Sequence, residues 1–170
     1  MSAWARQFLY VPPRDLGVGE LRPSAKCSGA DMDRWLDRLV EVDRLLKQGV
    51  DPQTFQQLRR HPAGSRQRQL GEAYHHFYDP RSHSRIRASW NSGRLEVDDG
   101  RHRVARARAR DVAVLPVEVA APHGAPTAAL RRRYPPVDER HTRLRGASQT
   151  RIERESAPSR VERQRQRSER

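Results

Sequence analysis

The stretch LEVDDGRHRVARARARDVAVLPVEV, residues 95–119, constrains the fold of this chain more than any other. Leu95 and Val97 alternate with Arg94, Glu96 and Asp98, the two-residue period of a half-buried strand. Asp99-Gly100 breaks that period, and residues 101–110 read as a short helix with Val104 and Ala107 on one face. After a turn at Asp111, VAVLPVEV reads as another strand. Pro116 has no N–H to give a ladder, which assigns it to an edge or a strand end. Just upstream, Ile86, Ala88 and Trp90 alternate with Arg85, Arg87 and Ser89. With the turn NSG between them, residues 85–98 form a two-stranded hairpin.

The first half of the chain has a helical period instead. In residues 28–49, Met32, Trp35, Leu36, Leu39, Val42 and Leu46 recur at spacings of three and four, so they share a core-facing side. Ser28 or Asp31 caps the start and Gly49 ends it. A second helix starts from Asp51 as cap and Pro52 as first residue, and Pro62 closes it. A third helical stretch reaches Tyr74, and Asp79-Pro80 marks the turn before the hairpin. Residues 1–27, with Trp4, Phe8, Leu9 and Tyr10 ahead of VPP, read as an extended arm. Past Pro122, residues 131–170 hold 13 arginines against 6 acidic residues and few large apolar side chains. The expected class is α+β: an arm over 1–27, a helical region over 28–77, a small mixed-sheet core over 78–122, and a basic, disordered tail over 123–170.

The formal net charge is +13, and only Lys26 and Lys47 are lysines. The planar arginine fork suits phosphate and carboxylate, so a polyanionic partner, nucleotide or nucleic acid, is expected. An arginine-biased composition explains the same charge without a partner, and the sequence leaves both open. Cys27 stands alone, which excludes an internal disulfide and a cysteine-based zinc site. No apolar run approaches the roughly 20 residues of a membrane span, and no signal-peptide stretch opens the chain. A cytoplasmic protein with no membrane partner is expected, with leaderless export left open.

The candidate site is DDGRHR, residues 98–103. A strand ends, Gly100 permits a tight turn, and a helix begins at once. The first amides of that helix have no internal acceptors and share the positive end of its dipole. An anion fits there, and glycine allows its close approach. Arg101, His102 and Arg103 stand on a first turn where helix electrostatics favours acids, the arrangement a phosphate ligand would compensate. His102 is also the candidate acid or base. The competing reading is that Asp98 and Asp99 neutralise these side chains in solvent. The two aspartates are also weak candidates for a magnesium site, although neighbours on an extended chain point apart. Tyr74, His75, His76, Phe77, Tyr78 and Asp79 form a dense cluster without metal spacing, read as packing.

The order RLEVDDG, GRHR with its helix, then VLPVEV resembles the ParB/sulfiredoxin-like superfamily, over roughly residues 78–120. The resemblance implies a small mixed sheet with a phosphate-gripping motif on a helix N-terminus. It implies that Gly100, Arg101, His102 and Arg103 grip nucleotide phosphates, and leaves the cofactor open, with a nucleotide such as CTP or ATP, and magnesium, as options. Against the partition members' G-E-R-R, Gly100 and Arg103 match, while Arg101 replaces the glutamate, which puts CTP hydrolysis in doubt. Against sulfiredoxin's G-C-H-R, Arg101 stands where the catalytic cysteine belongs, so reduction of sulfinic cysteine is not expected. Three readings follow. The first is a phosphate-recognising domain that binds a nucleotide or nucleic-acid backbone without sequence specificity. The second is a ParB-like nuclease or nucleotide hydrolase, of the toxin-module kind, using His102. The third is a non-catalytic interaction protein that meets a partner through its helical half.

Overall fold

The computed structural model describes residues 4–21 and 28–141. Their architecture is α+β, a five-stranded mixed sheet with five α-helices, in agreement with the class expected.

The helices form where period and caps coincide. Helix α1 (Gly29–Lys47) starts at Ser28, whose side chain accepts the Asp31 amide, and buries Met32, Leu36, Leu39, Val42 and Leu46. Trp35 lies half-buried at its side, stacked on His76 at 3.8 Å between ring centroids. Helix α2 (Pro52–Leu58) is capped by Asp51 and sinks Phe55. Helix α3 (Arg66–Phe77) is capped by Ser65 and runs one turn past the expected end, because Tyr74 and Phe77 are core residues. Phe55 and Tyr74 stack at 4.9 Å where α2 crosses α3.

That crossing depends on Gly71. A Cβ there would come within 2.7 Å of the Phe55 carbonyl oxygen and 2.8 Å of the Arg59 nitrogen, backbone that has no rotamer to retreat into. Gly71→Ala is therefore expected to cost about 1–3 kcal/mol of unfolding free energy. A urea titration checks it, and an unchanged midpoint would mean the helices part freely.

The sheet runs β1-β5-β3-β4-β2. Strand β1 (Trp4–Val11) lies antiparallel to β5 (Leu115–Pro122) along its whole length, Trp4 opposite Pro122 and Val11 opposite Leu115. The hairpin is β3 (Arg87–Asn91) and β4 (Arg94–Asp99), and β3 runs parallel to β5. Strand β2 (Leu16–Gly17) runs parallel to β4 at the far edge. The segment expected as an arm is thus part of the sheet. Leu9, Val11 and Leu16 are fully buried, and they carry both edge strands. Pro116 sits in an interior strand, but β5 meets β3 only over Glu118 to Ala120, so the proline lies outside that ladder.

A second correction concerns residues 123–141, which were expected in the tail. They form helix α5 (Ala125–Arg133) and a 3₁₀ turn, and Leu130, Tyr134, Val137 and His141 are buried. Tyr134 hydrogen-bonds Asp15 at 2.9 Å, and Arg131 bonds Gln7 of β1. Residues 142–170 of the expected tail lie outside the described residues.

Candidate phosphate site

Helix α4 (Arg101–Ala109) follows β4 directly, through Gly100. Gly100 has φ 90°, a conformation L side chains rarely adopt, and a Cβ there would lie 2.9 Å from the Ile86 side chain. Glycine is therefore required on two independent grounds. No side chain among the described residues caps α4, and Val104 is the first amide to bond back, to the Gly100 carbonyl at 3.1 Å. The amides of Arg101 and His102 stand before it, at the positive end of the helix.

A pocket of about 450 Å³ opens at this end, lined by Glu20, Leu21, Asp98, Asp99, Gly100, Arg101 and His102. Five of the six residues of the sequence motif thus meet in one place. Arg101 is exposed, with its Nε donating to the Val97 carbonyl at 3.0 Å and its Nη1 3.8 Å from where a Gly19 Cβ would be. His102 is half-buried in the pocket wall.

Arg103 goes elsewhere. It is buried, and its Nη1 donates to the carbonyls of His76 (2.6 Å) and Ser84, while its guanidinium lies over the Phe77 ring at 5.9 Å. Its position on α4 turns it toward α3 rather than toward the pocket. There it ties the C-terminal end of α3 and the loop before β3 to the start of α4. It supports the junction from beneath, 3.0 Å from where a Gly100 Cβ would be.

The aspartates depart from simple alternation. Arg87 pairs with Asp99 and Ala88 with Val97, so Asp98 is an extra residue in β4. This bulge brings both carboxylates to the rim of one pocket, against the expectation that they point apart. Each is engaged: Asp98 accepts from Ser89 Oγ at 2.6 Å, and Asp99 pairs with Arg87 at 3.5 Å. No group of three or more metal-ligating side chains gathers among the described residues.

The other arginines of α4 are held by the protein itself. Arg106 grips Asp33 of α1 through two bonds of 2.6 and 2.7 Å, and Arg110 meets Asp33 at 3.5 Å and also Asp37. The Arg106 hydrogen bonds hold the Asp33 carboxyl below its usual range. The signal was in the sequence: acids four apart on α1 face arginines four apart at the end of α4, Arg106 within it and Arg110 as its C-cap. Arg108 donates to the carbonyls of Pro13 (2.9 Å) and Leu16.

The His75 cluster has a geometry that spacing alone did not suggest. His75 Nδ1 lies 3.2 Å from Asp79 Oδ2, and its Nε2 lies 3.3 Å from Ser82 Oγ. The order hydroxyl, imidazole, carboxylate is that of a hydrolase triad, but the setting is structural. Asp79 and Ser82 are buried, Ser82 Oγ accepts the Ser84 amide, and Arg59 shares the Nδ1 edge at 3.2 Å. The cluster fastens the loop leading into β3, the packing role expected of it.

Exposed large apolar side chains are scattered singly among the described residues: Trp4, Leu21, Val40 and Val114. No helix there is long and apolar enough to cross a membrane. Compared with family models, curated proteins and solved structures, the chain matches none.

Proposed function

We propose that the β4–Gly100–α4 junction binds the phosphate of a nucleotide or of a nucleic-acid backbone, as in the ParB/sulfiredoxin-like proteins that its sequence resembles. The observation that carries this reading is the uncapped start of α4 opening into a pocket that Arg101 and His102 also line. Backbone amides and the helix dipole hold the anion, and Gly100 lets it approach. Arg101 and His102 add charged or polar donors. Arg103 acts through position, by fixing the first turn of α4 on α3. A magnesium ion carried by a nucleotide would meet hard oxygen ligands in Asp98 and Asp99. The three acids on the rim, counting Glu20, favour a metal-charged phosphate over a bare one.

The test is calorimetric titration of the full chain with CTP, ATP and GTP, with and without magnesium. Arg101→Ala with His102→Ala is expected to weaken binding about 10- to 100-fold, a total loss of about 1.5–3 kcal/mol of charge-assisted hydrogen bonding. Thermal stability should stay unchanged, because neither side chain packs in the core. Nucleotide affinity indifferent to this pair would sink the assignment. Hydrolysis that disappears in His102→Ala while binding persists would instead favour the hydrolase reading, with His102 as acid or base.

A further inference from the structure

We propose a second nucleic-acid contact on this chain: an arginine cleft around Trp90 that seats one nucleotide of a single strand. The strand's path toward Gly100, though not the cleft itself, rests on the phosphate reading above.

The cleft has a volume of about 350 Å³ and opens beside the β3–β4 turn. Four guanidinium groups line it, from Arg14, Arg94, Arg108 and Arg133, with the rings of Trp90 and Tyr134. Two acids share the wall, and both are already engaged. Asp15 takes Arg133 at 3.1 Å and the Tyr134 hydroxyl at 2.9 Å, and Glu96 takes the Asn91 amide at 3.2 Å. Arg108 is fixed on the Pro13 and Leu16 carbonyls, which pins its charge at the cleft. Arg14 and Arg94 are exposed and make no ion pair or hydrogen bond among the described residues. Among the described residues the cleft therefore holds a surplus of two positive charges.

Trp90 decides which polyanion fits. Its indole is half-buried opposite Leu95, without an aromatic or cationic partner among the described residues. A ring recessed beside guanidinium groups can stack on an unstacked base and cannot reach one inside a duplex. Arginine forks around it suit the adjoining phosphates.

Both pockets lie along one edge of the sheet. Leu16 and Gly17 pair with Leu95 and Glu96, and the same chain segment continues to Glu20 and Leu21 at the Gly100 pocket. Arg94 and Asp99, the two ends of β4, are five residues apart, a span of about 17 Å at 3.3–3.4 Å per residue. An oligonucleotide of a few units bridges that distance.

Fluorescence anisotropy of the full chain with labelled dT12, with rU12 and with a duplex of equal length, at several salt concentrations, tests the proposal. Arg14→Ala with Arg94→Ala should lower single-strand affinity roughly tenfold and reduce the log–log salt slope by about 1.4, two phosphates at about 0.7 each. CTP binding should not change in that variant. Quenching of tryptophan emission by dT12 should vanish in Trp90→Phe, although Trp4 and Trp35 remain. Unchanged affinity and slope in the arginine pair overturn the cleft. Quenching that survives Trp90→Phe overturns the stacking, and equal, equally sensitive duplex binding overturns the single-strand assignment. Oligonucleotide binding that needs Arg14 and Arg94 in a chain that ignores CTP supports the cleft and sinks the Gly100 reading alone.

Discussion

Arg103→Ala is expected to destabilise the fold by about 3–5 kcal/mol, the loss of two hydrogen bonds from a charged donor at about 1.5–3 kcal/mol each. The guanidinium is buried and donates to the carbonyls of His76 and Ser84, which lie 27 and 19 residues before it in the chain. Truncation leaves two part-buried acceptors without their donor, each at about 1–3 kcal/mol, and opens a cavity under Gly100. For a chain of this size the shift in melting temperature is on the order of 10 °C. Arg103→Lys keeps the charge but one ammonium cannot reproduce the planar fork, so it should recover less than half of the loss. Circular dichroism on heating and in urea reads both. A side chain that only gripped a ligand would give the opposite pattern, with lost affinity and an unmoved melting temperature in the free protein. A change below about 1 kcal/mol in the free chain would return Arg103 to that role.

This contrast shows where sequence reading succeeds and where it stops. The helices of the first half, the hairpin and the strand–Gly–helix order follow from local chemistry: Ser28, Asp51 and Ser65 cap, NSG turns, and apolar residues keep period. What does not follow is the destination of each arginine. Arg101 and Arg103 are two residues apart on one turn, yet one faces a pocket and the other the core. Helix geometry puts the two on opposite sides and Arg103 on the face of Val104 and Ala107, but the carbonyls that receive it come from α3 and the loop before β3. The same holds for Arg85, buried over Phe8 at 4.3 Å with its Nε on the Tyr78 carbonyl at 3.1 Å. A high arginine content read as affinity for polyanions is, in these residues, a set of backbone clamps. The sheet edges were hidden for a related reason. Strand β1 is defined by its pairing with β5 across more than a hundred residues, and VPP right after it looks like the end of an arm. The bulge at Asp98 is likewise a property of the paired strands, invisible in one of them.

His76 supplies the other large effect, on acidification. Burial pushes its imidazole pKa down to about 3, and the nearby Arg103, His75 and Arg59 charges act in the same direction. Its ring is stacked on Trp35, and only 16% of its side chain is exposed. The Glu72 carboxylate, 3.7 Å from Nε2, would favour the charged form, but Arg59 and Arg68 already engage it. In the unfolded chain the same imidazole titrates near 6.5. Between those values the unfolded state binds a proton that the folded state refuses, so stability must fall as pH falls. The slope from this one group approaches about 1.4 kcal/mol per pH unit, or about 2–3 kcal/mol between pH 6.5 and 4.5. Above pH 7 its contribution is constant. Asp43 and Asp79, whose carboxyls lie below their usual range, add losses of the same sign, but at lower pH where carboxylates protonate. The two sources therefore separate along the pH axis. His76→Phe keeps a ring on Trp35 and removes the proton site, so its urea midpoint should fall clearly less from pH 7 to 4.5 than that of the parent chain, the remaining drop coming from His141, whose pKa burial also lowers. Parallel curves would mean that the imidazole is charged in the folded protein. The clamp that Arg103 makes on the His76 carbonyl would then sit beside a second cation rather than a neutral ring.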